Sequence, residues 1–397
     1  MSEIAEMRPH DAASSHARTL AGLFRYFLKL GSWGFGGPIA LCGYMRRDLV
    51  DSRRWYSDEE YQQGLAIAQT MPGPLAAQLA MWLGYLERGA LGAAIVSIPF
   101  IVPSFLLVTA IGVVYAKYQG LAIVEDIFFG VAPAVLAIIA VASWKLARST
   151  NKRDPVLWVL AGTVCAATAA SGAEIVWLFI AAGLFGALFY GGGLPRFRAG
   201  AALVAPWPLA VVRGFAWFDA GGSLATMAGF FAKASAFTVG SGLAMVPFLH
   251  QGLVSDHHWL TEQQFTDAVA MGLISPGPVV IMSTFAGYLV AGVAGAVIAT
   301  IAVFLPVYLF VVVPGRLFRR VERHPRVRGF VAGATAAAAG AIAGAAIVIG
   351  RQTIEGSQWW LSLVIGLVSL ALLLQKRKKV PEPALVVAGA VVGIALH

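Results

Sequence analysis

Two short strings, Met71-Pro72-Gly73-Pro74 and Ser275-Pro276-Gly277-Pro278, lie 204 residues apart, each inside an apolar run. Proline removes a backbone donor and clashes with the preceding turn, so two prolines around a glycine break a helix. Lipid offers no water to the freed backbone groups, so a break at membrane depth must be surrounded by protein or face a wet cavity. Paired breaks at matching places in two halves mark a transporter's binding site. Glycine-rich breaks accompany both: Ser32, Gly34, Gly36 and Gly37 within Gly31–Pro38, and Thr238, Gly240, Ser241 and Gly242. A helix that starts at such a break presents free N–H groups and a positive half-dipole, which suits an anion. The hydroxyls of Ser32, Thr238, Ser241 and Ser275 would add donors. Close helix packing through small residues explains each glycine cluster equally well when it is taken alone. The pairing across a repeat favours the site.

Lys29 and Lys233 are lone cations within apolar segments, matched by the repeat. A lysine deep in a bilayer costs about 2.5–3.5 kcal/mol on insertion scales, so an anionic substrate is one natural partner. Snorkelling toward the interface is the competing reading. Gln69, Thr70, Gln78, Ser283 and Thr284 flank the Pro-Gly-Pro strings and read first as interhelical hydrogen-bonding groups. His250 and Asp256-His257-His258 lack a clear i,i+4 pair and read as an interfacial loop in preference to a metal site. Asp267 lies near a helix start, where a carboxylate suits the dipole; proton coupling is its lesser reading. No phosphate-binding loop, zinc-hydrolase motif or nucleophile elbow occurs in context, so neither an enzyme nor a cofactor is expected.

The elements that must position these residues are membrane helices. Hydrophobic residues make up 58% of the 397 and charged residues 12%, about half the charge of a soluble chain. The apolar runs leave room for about ten to thirteen crossings. The net charge of +9 sits mostly between the runs, a positive-inside pattern that does not suggest nucleic-acid binding. Residues 1–19 read as a disordered cytoplasmic tail, 20–192 as a first transmembrane repeat, 193–222 as a connector with a partial crossing at 203–218, and 223–397 as a second repeat. At an offset of 204, Lys29 meets Lys233, Gly36 meets Gly240 and Trp55 meets Trp259; at 203, Gly84-Tyr85 meets Gly287-Tyr288 and Gly130 meets Gly333. The heavy basic clusters follow different segments in the two halves, which argues for an inverted repeat. Arg46–Arg54 conflicts with this unless the first segment is re-entrant. The fold class expected is an all-α polytopic membrane protein with broken or re-entrant helices. Ser57, with Glu60 three residues on, predicts a helix start.

Phe35-Gly36-Gly37-Pro38, the Trp-x-x-[Asp/Glu] loop that follows, Met71-Pro72-Gly73-Pro74, and their second-half versions resemble the chromate transporter family in its long two-domain form. The resemblance covers the chain from about Leu20. It implies export of chromate from the cytoplasm across the cell membrane and chromate resistance, with sulfate as an analogue and competitor. The expected site combines the glycine, serine and threonine groups above with Pro72, Gly73, Pro74, Pro276, Gly277 and Pro278, and Lys29 and Lys233. In the second half Ser241-Gly242 replaces Gly37-Pro38, so unequal contributions are expected. Uptake of sulfate coupled to a cation, and a non-transporting scaffold or sensor, are the alternatives. The partners expected are the anion and the lipid bilayer, with a homo-oligomer left open.

Overall fold

The computed structural model describes residues 19–35, 37–118, 122–171, 176–191, 223–238, 242–313, 324–353, 359–375 and 380–396. The expected N-terminal tail, the connector with its partial crossing, and Gly36, Gly240 and Ser241 lie outside them. The described residues are helical. In the first half α1 is Leu20–Trp33, α2 Gly37–Met45, α3 Asp58–Thr70, α4 Leu75–Tyr118, α5 Ala122–Asn151, α6 Pro155–Ser171 and α7 Val176–Tyr190. In the second half α8 is Ser223–Phe237, α9 Val246–His250, α10 Glu262–Ile274, α11 Met282–Val312, α12 Pro325–Thr353, α13 Trp359–Leu374 and α14 Glu382–Leu396.

The first two segments of each half do not cross. Fourteen residues of α1 rise about 21 Å, short of the roughly 30 Å hydrocarbon core. The chain turns at Gly34 and runs back through α2 and a π-helical turn, Arg46–Ser52. Gly22 therefore meets Trp55, and the Arg53 guanidinium sits 5.2 Å from the Tyr26 ring and 4.7 Å from the Trp55 ring. The first segment is thus re-entrant, which removes the conflict over Arg46–Arg54. α3 starts on a capping box, Ser57 with Glu60, as expected, and Thr261 with Gln264 repeats it at α10. α3 turns at Pro72-Gly73-Pro74 and returns, so that Gly64 lies against Trp82 and the Tyr56 hydroxyl donates to the Leu83 carbonyl at 2.8 Å.

α4 then reverses at Arg88–Gly89. A Cβ on Gly84 would fall 2.4 Å from the Gly92 carbonyl oxygen, whereas in a straight helix the two residues would be about 12 Å apart. Gly89, at φ 57° and ψ −140°, adopts a conformation that side chains disfavour. The second half reverses identically at Ala291–Gly292, with φ 60° and ψ −148° at the glycine and Gly287 against Gly295. Residues 90–118 (α4b) and 293–312 (α11b) then run inward from these turns. Gly112, far along α4b, lies against Tyr288 beside the second-half turn, and the Tyr308 hydroxyl donates to the Ala90 carbonyl at 3.0 Å. The two turns therefore sit at opposite ends of an antiparallel pair, and the repeat is inverted.

Among the described residues, four stretches are long and apolar enough to span a bilayer: 75–118, 129–151, 279–312 and 325–351. The halves also interlock through α5 and α12. α5 packs on α13 and α14 of the second half, and α12 packs on α6 and α7 of the first. The contacts are glycine-lined: Gly130 against Gly389, and its repeat equivalent Gly333 against Ala182 and Gly186. Without a hydrophobic drive between helices in lipid, such backbone-close packing supplies the attraction. Leu91, Ile98 and Leu106 on α4b, and Val293, Ile301 and Leu305 on α11b, point outward, as a lipid-facing surface requires.

Two measurements check this fold. In a Cys42→Ser/Cys165→Ser background, Arg88→Cys and Ala291→Cys should label with an impermeant maleimide from opposite sides of the membrane; labelling from one side contradicts the inversion. Gly186→Leu, whose Cβ would fall 2.2 Å from the Gly329 carbonyl, should lower the melting temperature in detergent or abolish folding. Gly162→Leu, with nothing within 4 Å, should leave it unchanged.

Candidate functional site

The four hairpin tips meet in crossed pairs. The Gly73 N–H donates to the Thr238 carbonyl, and the Gly277 N–H donates to the Gly34 carbonyl at 2.9 Å. Each Pro-Gly-Pro tip therefore binds the glycine-rich tip of the other half. Gly73 at φ 128° and Gly277 at φ 85° take backbone conformations that an L side chain resists. Space forbids one as well, since a Cβ on Gly277 would fall 2.3 Å from Ser104 Oγ and one on Gly73 2.9 Å from Gln78 Nε2. The mid-span helices back the tips symmetrically. Gly277 lies against Ser104 of α4b, and Gly73 against Val307 of α11b, its equivalent.

These bonds share one electrostatic consequence. A carbonyl oxygen at a helix end repels an anion, and here those oxygens are already engaged by donors. Gly34 O and Thr238 O accept from the opposite tips. Pro276 O accepts from the Ser104 hydroxyl at 2.7 Å, Gly31 O from the same hydroxyl at 3.2 Å, and Pro72 O from the Gln78 side-chain amide. The second arms start at the tips: α2 at Gly37, α4 at Leu75, and short 3₁₀ turns at Gly242 and Val279. Their first N–H groups carry the positive helix ends. The arrangement mutes the negative ends and leaves the positive ones, which is the polarity an anion needs.

Several sequence-predicted residues are placed elsewhere. Lys29 is exposed on α1 and Lys233 half-buried on α8. The Ser32 hydroxyl donates to Leu28 O and the Thr238 hydroxyl to Ala234 O, each at 2.8 Å and one turn back on its own helix. Ser275, Pro276, Gly277, Pro278, Gly73, Pro74, Gly34 and Gly242 are buried at the tips, with Pro72 and Gly37 half-buried there. The histidines have structural partners. His257 stacks on Trp259 with centroids 4.3 Å apart, where Arg53 stands in the first half; His258 bonds Val254 O; His250 pairs with Glu262 at 2.8 Å, as Arg46 pairs with Asp58 at 2.9 Å.

Sequence reasoning missed two contributors. Ser104 spans Gly31 and Pro276 but matches Val307 in the repeat, so duplication gave no signal; only the flanking Pro103, matched to Pro306, pointed there. Glu382 brings its Oε2 to 3.3 Å from a Cβ built on Gly37, across the half boundary. A lone acid between Pro381 and Pro383 at the head of an apolar run was its only mark.

Comparison with known proteins identifies the family. The family model described as "Chromate transporter" matches twice, over residues 21–187 and 225–394, one match per inverted half. A chromate transport protein of Cupriavidus metallidurans is 44% identical over 381 residues, covering 96% of this chain and 94% of its own length. A probable chromate transport protein of Synechococcus elongatus is 45% identical over 382 residues, covering 95% and 96%. A chromate transport protein of Pseudomonas aeruginosa is 33% identical over 347 residues, covering 84% and 82%. No solved structure matches. With crossed, broken hairpins at the heart of two interlocked repeats, and matches that run nearly end to end, this membrane protein belongs to the chromate transporter family.

Proposed function

We propose that this protein exports chromate from the cytoplasm across the cell membrane and so confers chromate resistance. The observation that carries the reading is the crossed pair of tips, with tip carbonyls hydrogen-bonded and the second arms starting at the tips, built from two inverted halves. Such a site suits alternating access, in which the halves rock about a fixed centre. The chromate transport proteins it resembles supply the substrate. Chromate is a tetrahedral dianion with four acceptor oxygens, so it takes N–H donors and has no use for carbonyls. Sulfate shares that shape and charge and would compete.

The energetics favour efflux. One elementary charge moved through 100 mV is worth about 2.3 kcal/mol. A dianion leaving an inside-negative cell therefore gains about 4.6 kcal/mol, above a thousandfold in concentration. Uptake would have to work against the same term. Lys29, being exposed, fits the snorkelling reading better than a place in the pocket.

Everted vesicles carrying the protein should accumulate radiolabelled chromate when the interior is made positive, with sulfate in excess reducing the rate. Flux that ignores the potential, or no flux at all, sinks the proposal. Ser104→Ala, which uncaps Pro276 O and Gly31 O, should weaken chromate affinity by about five- to thirtyfold, the usual effect of losing a buried hydrogen bond near a charge. The check is KM for vesicle uptake. Lys29→Gln should leave that KM within about twofold, as expected for a surface charge screened by salt.

A further inference from the structure

One buried acid has no part in the tips. Asp267 lies on α10, two turns before the Ser275 tip, and is 1% exposed. The Tyr115 hydroxyl, from α4b of the other half, donates to its Oδ2 at 2.6 Å. The Tyr115 ring packs edge-on against Phe285 with centroids 5.2 Å apart. Among the described residues, no lysine, arginine or histidine nitrogen lies within 4.0 Å of Asp267. The elements packed on α10 contribute other titratable groups: Asp126, Lys145 and Arg148 from α5, Glu382 from α14, Tyr288 and Tyr308 from α11, and Asp256 from the π-helical turn Gln251–Asp256 before it. Glu262 stands on α10 itself, paired with His250. Asp267 hydrogen-bonds to none of them.

The repeat sharpens the point. The first-half equivalent of Asp267 is Gln63, half-buried and bonded to Glu59 at 3.4 Å, and it cannot ionise. The acid therefore belongs to one half only and is no requirement of the hairpin fold. A carboxylate this deeply buried, bonded to a tyrosine hydroxyl and with no facing cation, holds its charge poorly. Its tyrosine bond survives in either state, because a neutral carboxyl still accepts through one oxygen. The ligand suited to it is a proton.

We propose that Asp267 is a proton-binding site linked to the anion site, so that a dianion bound at the tips draws a proton onto Asp267. The inference rests on the anion site proposed above. Eight helical residues separate Asp267 from Ser275, about 12 Å along the axis. Two negative charges at that range, through a partly wet protein interior, raise proton affinity about ten- to a hundredfold. Linkage is reciprocal, so protonating Asp267 tightens dianion binding by the same factor.

The test titrates chromate into the purified full-length protein in weakly buffered detergent, alkaline enough that free chromate is the dianion, with a pH dye present. Binding should take up a fraction of a proton, up to one per chromate, and acidification should tighten the Kd about ten- to a hundredfold. Asp267→Asn, permanently neutral, should bind as tightly as the wild type does at its acid limit, with no uptake and no pH dependence; Asp267→Glu should restore both. Tyr115→Phe, which removes a donor to the charged form, should move the midpoint alkaline. A lesion that only loosened the fold would weaken binding, the opposite sign. Chromate binding without proton uptake overturns this inference and leaves the transport reading standing, as does uptake that persists in Asp267→Asn or a midpoint unmoved in Tyr115→Phe. No chromate binding by the wild type overturns both. The Tyr115→Phe midpoint assigns the uptake independently, so a misfolded Asp267→Asn leaves the test decisive.

Discussion

A peptide group inside a bilayer must find its hydrogen-bond partner within the protein, and most of this architecture follows from that rule. Pro-Gly-Pro cannot continue a helix, so each string strands carbonyls and amides at membrane depth. Neither half can satisfy them alone. Gly73 N–H reaches Thr238 O and Gly277 N–H reaches Gly34 O, so the breaks in one half are completed by the other. The inversion, the interlocked helix pairs and the reversals at Gly89 and Gly292 bring the four tips together, where those bonds can form. The anion site proposed here follows from which groups the bonds engage, since they take up oxygens and leave helix starts.

Symmetry accounts for the scaffold, and the halves depart from it at single positions. Equivalent positions hold Arg46 with Asp58 but His250 with Glu262, Arg53 but His257, Gln63 but Asp267, and Ser104 but Val307. A carrier with two identical halves would have inward- and outward-facing states of equal energy. Each unmatched pair breaks that degeneracy.

Much of the fold was legible in the residues. Hydropathy, the 204-residue register and the Ser57–Glu60 cap identified the class, the duplication and a helix start, and the basic clusters pointed to inversion. The re-entrant course of α1 and α2 was not readable, because a 14-residue arm and a crossing helix share the same apolar composition. The reversal at Arg88–Gly89 was legible, because Glu87-Arg88-Gly89 separates an apolar run ending at Leu86 from one starting at Leu91. At the site, the Pro-Gly-Pro and glycine strings stood out because proline and glycine have few other uses mid-membrane. Ser104 did not, since a lone serine on an apolar helix usually bonds its own backbone. Lys29 and Lys233 drew attention as charges, but periodicity could not say which way α1 and α8 would face.

Crystals grown with chromate, measured for anomalous scattering from chromium, put the central claim to the most direct test. A peak among the four tips, within hydrogen-bonding reach of the helix starts at Gly37, Leu75, Gly242 or Val279, is the predicted result. A peak beside Lys29 on the outer surface, with the tips empty at saturating chromate, would contradict it.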